Sequence, residues 1–282
     1  MFDCEGSRLA GIAHVPEQPS SRGLVIVVGG PQYRVGSHRQ FVLLARYLAK
    51  KGYCTLRFDC RGMGDSEGEH PGFEHLEPDI RAAIDTLFQL VPTLTDVVLW
   101  GLCDAASAAL FYAHNDPRVS GAVLLNPWVH DPRSENAPYL RDYYMRRLGS
   151  WELWKQLLTG KMRVLARVSA IKTVWSSRRQ RQREATATPQ SELATSQAPM
   201  SYQRRMCDGA RRFGGHVLVV LSGEDLVALE FKSLTSRDGG WKKLLRSDRW
   251  SVRELAGATH TFSRQEWRDQ VAEWTSDWLA VW

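Results

Sequence analysis

Along the chain, short unbroken apolar runs alternate with apolar residues at helical spacing. Leu24-Val-Ile-Val-Val28, ending in Gly29-Gly30, has the length and hydrophobicity of a strand buried on both faces. From Ser37 to Lys51, Phe41, Leu44, Ala45 and Leu48 mark one helical face, with Ser37 as the expected N-cap and Gly52 as the stop. Cys54–Phe58 reads as the next strand and Asp59–Gly68 as a glycine-rich turn. A helix is expected over Pro78–Val91, with Ile80, Ile84, Leu87, Phe88 and Val91 on one face. Asp96–Trp100 and Val119–Leu125 read as strands on either side of a small-residue helix, Ala105–Ala113. Repeated strand–helix units of this kind predict an α/β fold: a mostly parallel sheet flanked by helices, with right-handed crossovers.

The rhythm stops at Asn126-Pro127. Tyr139, Trp151, Trp154, Leu157, Leu158 and Leu165 can line an apolar face of two or three helices, whereas 176–200 is poor in large apolar residues and reads as a mobile loop. Strand and helix order resumes with His216–Leu221, Trp250–Leu255 and a C-terminal helix. Ser263 and Glu266 stand there at capping-box spacing, and Trp267, Val271, Trp274 and Trp278 step along one face expected to be buried. The expected organisation is a core formed by 1–127 and 213–282, interrupted by a helical cap insertion over 128–212.

Composition narrows the class. With 282 residues, 43% hydrophobic and 24% charged, the chain excludes collagen-like, disordered and small disulfide-stapled classes. No run approaches the ~20 apolar residues of a membrane-spanning helix. The segment MFDCEGSRLAG lacks a basic region followed by an apolar core, so a cytoplasmic protein is expected. Cys4, Cys54, Cys60, Cys103 and Cys207 have neither the number nor the spacing of a disulfide framework or a zinc site, and no metal is expected. The net charge of +6 comes from an uneven distribution: Trp128–Arg212 holds 17 of the 37 basic residues and 7 of the 31 acidic ones. No zinc-finger, RRM or KH signature accompanies this excess, which argues against a nucleic-acid partner. Between Lys161 and Arg183 there are eight basic residues and no acid. That stretch is either a solvated helix face or an attractor for an anionic partner: an acyl carrier, a phosphorylated lipid or the surface of the inner membrane.

The chemistry is concentrated where Asp96-Val-Val-Leu-Trp100 runs into Gly101-Leu-Cys103-Asp-Ala105 and a helix of small residues. A strand ending in G-x-C-x-A directly before a helix has the layout of a nucleophile elbow, normally G-x-S-x-G. The turn is so tight that the residues two before and two after the nucleophile must be small. The nucleophile then sits over a helix N-terminus, where the dipole favours a thiolate and free amides can hold an oxyanion.

The sequence here resembles the α/β-hydrolase superfamily. Phe58-Asp-Cys-Arg-Gly-Met-Gly-Asp-Ser66 is similar to the Asp-x-Arg-Gly-x-Gly-x-Ser turn found after an early strand in that superfamily. Gly29-Gly30-Pro31-Gln32 stands where the superfamily places its oxyanion loop, Ser222-Gly223-Glu224-Asp225 where it carries its acid, and Gly257-Ala-Thr-His260 where it carries its base. The resemblance implies Cys103 as nucleophile, His260 as base and Asp225 as acid, in the superfamily's chain order. Asp225 is preferred to its neighbour Glu224 because the superfamily's acid follows the glycine by two residues. It further implies an oxyanion hole made by the backbone N–H groups of Asp104 and Gln32, since Pro31 has none. Arg34, His38 and Arg39 lie in the same block, either as a solvated helix start or as an anion-recognising rim.

The blocks GGPQYRVGSHRQF, GLCDAA and AGATHTFS look most like the exosortase A system-associated hydrolases of the first type, encoded with bacterial exopolysaccharide and protein-sorting loci. The implied activity is hydrolysis or transfer of an acyl group from a small-molecule or carrier-bound thioester or activated ester, without cofactor. Cysteine in place of serine and Ala105 in place of the second glycine are the departures from the superfamily pattern. A catalytically inactive scaffold that binds an anionic partner or membrane surface through the basic insertion is the alternative.

Overall fold

The computed structural model describes residues 1–30, 32–130 and 201–282. A hairpin, β1 (Phe2–Cys4) and β2 (Ser7–Leu9), turns at Glu5 and Gly6, both at positive φ. The chain continues through β3 (Gly11–His14), β4 (Arg22–Val27), α1 (Gln40–Lys50), β5 (Cys54–Phe58), α2 (Glu77–Leu90), β6 (Asp96–Leu102), α3 (Asp104–Tyr112) and β7 (Val119–Leu125). Beyond the undescribed stretch come α4 (Tyr202–Arg212), β8 (His216–Ser222), α5 (Leu226–Arg237), α6 (Gly239–Leu245), β9 (Trp250–Leu255) and α7 (Gln265–Leu279). Strands β3 to β9 form one sheet in the order β3-β5-β4-β6-β7-β8-β9, in which β3 runs antiparallel to β5 and every other pairing is parallel.

Alternation along the strands builds two apolar layers. Val25 and Val27 of β4 join Ile84 and Leu87 of α2, the alanines of α3 and Met206 of α4 on one face. Leu24, Ile26 and Val28 meet Phe41, Leu44 and Leu48 of α1 and Val271 and Leu279 of α7 on the other. Helix α3 is small-residued because it is buried all round: every residue from Ala105 to Tyr112 is buried. Helix α4 approaches it so closely that a Cβ on Gly209 would stand 2.4 Å from the Leu110 carbonyl oxygen.

The structure corrects the sequence reading at several places. Residues 202–212, read as part of the insertion, form a helix whose Met206, Cys207 and Ala210 are buried in the core. Ser37 does not cap α1: residues 37–39 make a 3-10 turn, His38 and Arg39 take left-handed φ of 53° and 61°, and Arg39 stands at the N-cap. Ser263 does not cap α7, which begins at Gln265 after Arg264. Its hydroxyl shares a hydrogen bond with Thr259 Oγ1 at 3.1 Å instead. On α7 the buried line is Val271, Ala272, Thr275, Ser276 and Leu279, with Trp267, Trp274 and Trp278 partly buried. The aromatic face, the loop at 176–200 and the basic run 161–183 lie outside the described residues.

Candidate active site

Four loops at the carboxyl ends of β4, β6, β8 and β9 converge on Cys103. Gly101 is required there, since a Cβ on it would meet backbone atoms of Ala105 and Ala106 at 2.6–2.7 Å. Cys103 has φ 63° and ψ −124°, the strained turn of an elbow, and serves as N-cap of α3. Two hydrogen bonds to the strand next door hold it: Cys103 N–H donates to Leu125 O at 2.9 Å, and Trp128 N–H donates to Cys103 O at 3.2 Å. The methyl of Ala105 is tolerated because Gly29 faces it; a Cβ on Gly29 would come within 2.9 Å of that methyl. Of the five cysteines, Cys103 alone is partly accessible and the other four are buried.

His260 and Asp225 meet through Nδ1 and Oδ2 at 2.8 Å. Asp225 is buried, and its carboxylate also caps α5 by accepting the N–H groups of Val227 and Ala228, both at 3.3 Å. Glu224 is exposed, so of the two adjacent acids only Asp225 reaches the imidazole. With Nδ1 on the carboxylate, the other ring nitrogen is not committed to Asp225, and Cys103 lies close enough to act on the ring electrostatically. Burial alone would lower the His260 pKa. The hydrogen bond and negative charge of Asp225, with Cys103 acting in the same direction, outweigh it and push the value up to about 10. This arrangement favours a charged imidazolium beside the Asp225 carboxylate.

The loop after β4 meets the elbow through a contact that motif reading does not reveal. The Asp104 carboxylate accepts Gly30 N–H at 2.9 Å and Ala105 N–H at 3.0 Å. It thereby ties the Gly29-Gly30 turn to the first turn of α3. The backbone N–H groups of Asp104 and Gln32 donate to no partner among the described residues, while the Gln32 side chain accepts Ser37 N–H at 3.3 Å.

The expected rim divides. Arg34 is not available to an incoming anion, because its Nη1 pairs with the wholly buried Asp59 and its Nη2 with Asp65 at 2.5 Å. Asp59 also accepts the N–H of Arg34 at 2.5 Å and of Asp65 at 3.0 Å. A Cβ on Gly64 would collide with that carboxylate, so the glycine in Asp-x-Arg-Gly-x-Gly clears the space the ion pair needs. His38 and Arg39 are exposed. Among the described residues there is no cluster of three or more metal-ligating side chains, and no helix is long and apolar enough to cross a membrane.

Comparison with known proteins agrees with this architecture. Est1E of Butyrivibrio proteoclasticus, solved with ferulic acid bound, superposes with a TM-score of 0.60 at 15% identity, covering 99% of this chain and 97% of its own. An alpha-beta serine hydrolase homologue from Coxiella burnetii gives 0.58 at 15% identity over 99% and 95% of the two chains. A monoacylglycerol lipase from Paleococcus ferrophilus gives 0.57 at 19% identity over 96% and 98%. At these identities the likeness is one of fold: the α/β-hydrolase fold. Among curated proteins, the polyketide transferase grgF of a Penicillium species is 27% identical over 119 residues, which is 39% of this chain and only 38% of that protein. The sequence profile of the alpha/beta hydrolase family matches residues 24–274, and with that match spanning most of its length the chain belongs to this family.

Proposed function

We propose that the protein is an acyl hydrolase or acyltransferase that works through a covalent acyl–Cys103 intermediate, with His260 as base and Asp225 as the group that orients it. The observation that carries this reading is the His260–Asp225 pair, with 2.8 Å between Nδ1 and Oδ2, close to a cysteine held at φ 63° on the strand-to-helix turn.

In the first half-reaction the Cys103 thiolate attacks the acyl carbon and forms a carbon–sulfur bond. The carbonyl oxygen takes the negative charge, facing the N–H groups of Asp104 and Gln32. Collapse breaks the bond to the leaving group, which departs with the proton from His260. In the second, water or another acceptor gives its proton to His260 as it attacks the acyl–cysteine, and the Cys103 thiolate is expelled.

The nucleophile restricts the substrate. A thiolate leaves readily from a tetrahedral intermediate, so the intermediate from an amide or plain alkyl ester tends to return to substrate unless its leaving group is protonated first. Thioesters, lactones and activated esters carry leaving groups that compete with it. Exchange between two thioesters is nearly thermoneutral, which suits transfer as well as hydrolysis. The match to a polyketide transferase supports the transfer option, and the motif blocks support a place in a bacterial exosortase and exopolysaccharide system. The basic run 161–183 supports an anionic carrier or inner-membrane surface as partner. It is also the feature on which the second reading, a non-catalytic scaffold, rests.

Intact-mass analysis after incubation with thioesters and activated esters tests the proposal. An acyl adduct on the wild type, absent from Cys103→Ala, is expected. Turnover retained in Cys103→Ala refutes the role of the elbow, and tight binding to anionic vesicles with no adduct favours the scaffold.

A further inference from the structure

At the carboxyl end of β7, one residue touches the loops of the whole candidate triad although no motif points to it. Asn126 is fully buried and holds φ 43°, a left-handed conformation that asparagine tolerates better than most residues. Its backbone N–H donates to Val220 O at 3.0 Å. Its side-chain nitrogen donates to Ser222 Oγ at 2.8 Å and to the backbone oxygen of His260 at 3.1 Å. Its side-chain oxygen accepts Ser222 N–H at 2.8 Å. Ser222 Oγ in turn donates to Thr259 O at 3.0 Å. On either side of Asn126, Leu125 O and Trp128 N–H hold the two ends of Cys103.

The network has one connectivity. Both amide hydrogens are used, one on the loop that carries the acid and one on the loop that carries the base, and the amide oxygen returns to the acid's loop. The segment bearing the amide is the one that fixes the nucleophile. Each of the three site residues comes from a separate strand end, and short-range sequence does not set the distances between them. Asn126 joins the three ends inside a water-excluded region, where each hydrogen bond is both strong and costly to leave unmade.

We propose that Asn126 is a positioning residue that fixes the spacing of Cys103, His260 and Asp225, an inference that rests on the acyl-transfer reading above. Its carboxamide is suited to this task in a way that isosteric aspartate is not. A carboxylate presents an acceptor to the His260 carbonyl oxygen, which is itself an acceptor, and so turns an attraction into a repulsion. Glycine keeps the left-handed backbone but deletes the bridge, leaving Ser222 N–H and the His260 carbonyl without their partner.

The test compares Asn126→Gly and Asn126→Asp with wild type in steady-state hydrolysis of S-phenyl thioacetate. The His260 ring is also titrated by NMR in protein labelled at histidine nitrogen. Displacement of reacting groups by about 1 Å costs on the order of 100-fold in rate, so kcat is expected to fall by about that factor while KM stays within about threefold. The His260 midpoint is expected to drop in both variants, because its contacts to Asp225 and Cys103 loosen. A purely structural residue would lower stability without moving that midpoint in the folded protein. Folded variants with kcat within about threefold of wild type and an unchanged midpoint overturn the inference. If both variants fail to fold, Ser222→Ala decides: it removes the hydroxyl that accepts from Asn126 Nδ2 and donates to Thr259 O while leaving the bonds of Asn126 to Ser222 N–H and the His260 carbonyl, and a reduced kcat with a lowered midpoint supports the inference, whereas wild-type values overturn it. Cys103→Ala run alongside separates the two levels. Turnover surviving in that variant removes the acyl-transfer reading, while the His260 titration still reports on what Asn126 does.

Discussion

Replacing Arg34 separates a structural cation from a substrate-binding one. In Arg34→Met the aliphatic stem is kept and the guanidinium is lost, which removes the pairing with Asp59 and the 2.5 Å contact to Asp65. The Asp65 side chain is 71% exposed, so that half of the fork contributes about 0–1 kcal/mol. Asp59 is 0% exposed, and stripping a buried carboxylate of its cation costs about 3–5 kcal/mol. The lower end applies, because two backbone N–H groups still donate to Asp59 and the positive Arg57 still acts on it. A loss of about 3 kcal/mol, at roughly 2–4 °C per kcal/mol, lowers Tm by about 6–12 °C. Arg39→Ala, an exposed site, is expected to stay within about 0.5 kcal/mol. The assay is thermal and urea unfolding at neutral pH, with KM measured for one neutral and one anionic thioester. A Tm within 2 °C of wild type, combined with a KM raised only for the anionic substrate, would refute the reasoning and restore Arg34 to the rim.

Cys103→Ala and His260→Ala are each expected to abolish acyl turnover, the first with little change in Tm and the second with a lowered Tm at neutral pH because buried Asp225 loses its partner, and Asp225→Asn to lower kcat by about 100- to 10,000-fold while still capping α5; stopped-flow kinetics and circular dichroism check these statements. Because the His260 pKa rises from 6.5 to about 10 on folding, its contribution to stability is fully present below pH 6.5 and is lost as pH rises through about 10. Urea unfolding at pH 6 and pH 10.5 should show that loss in wild type, and a slope equally steep in His260→Ala would contradict it. Gly29→Ala should fail to fold or lose several kcal/mol, since its Cβ would lie 2.1 Å from Asp104 Oδ1 and 2.7 Å from Ala105 N; a wild-type melting curve would show that the loop after β4 is not held as described.

The elements that the sequence makes legible are those whose signal is local. Strands β5, β7 and β9 lie at the limits read from their apolar runs, and the elbow is readable because a tight turn needs small residues at fixed offsets from Cys103. The preference for Asp225 over Glu224 comes from the resemblance to the superfamily and not from local physics; in the structure Asp225 is buried against His260 and Glu224 is exposed. The pairing of Arg34 is not legible because its partner Asp59 is 25 residues away, and nothing within the block GGPQYRVGSHRQF shows that its charge already has a partner. Strands β1 to β3 pass unnoticed because each is three or four residues long and only partly apolar; the Glu5-Gly6 turn, with both residues at positive φ, is the signal that marks the hairpin. Helix α4 is hidden by its charge: four arginines mask a narrow stripe of Met206, Cys207 and Ala210. The side chain of Asp104 is missed because the motif assigns a role only to its backbone.

Holding a cysteine at φ 63° costs of order 1–3 kcal/mol, and such strain persists only where the surroundings leave the chain no alternative. Here the constraint is distributed. Leu125 and Trp128 fix the backbone of Cys103 from one side, and the Asp104 carboxylate fixes Gly30 on the other. The partners of these groups are long-range in sequence: 74 residues separate Gly30 from Asp104, and 134 separate Asn126 from His260. Local unfolding of the segment 125–128 would therefore release the strain and loosen the imidazole's loop together, since the bonds that hold Cys103 and those that Asn126 makes to Ser222 and His260 come from the same few residues. Substitutions that stabilise the loops after β7 and β8 should raise the unfolding temperature without lowering kcat, whereas relaxing Cys103 itself would gain stability only by misplacing the thiol.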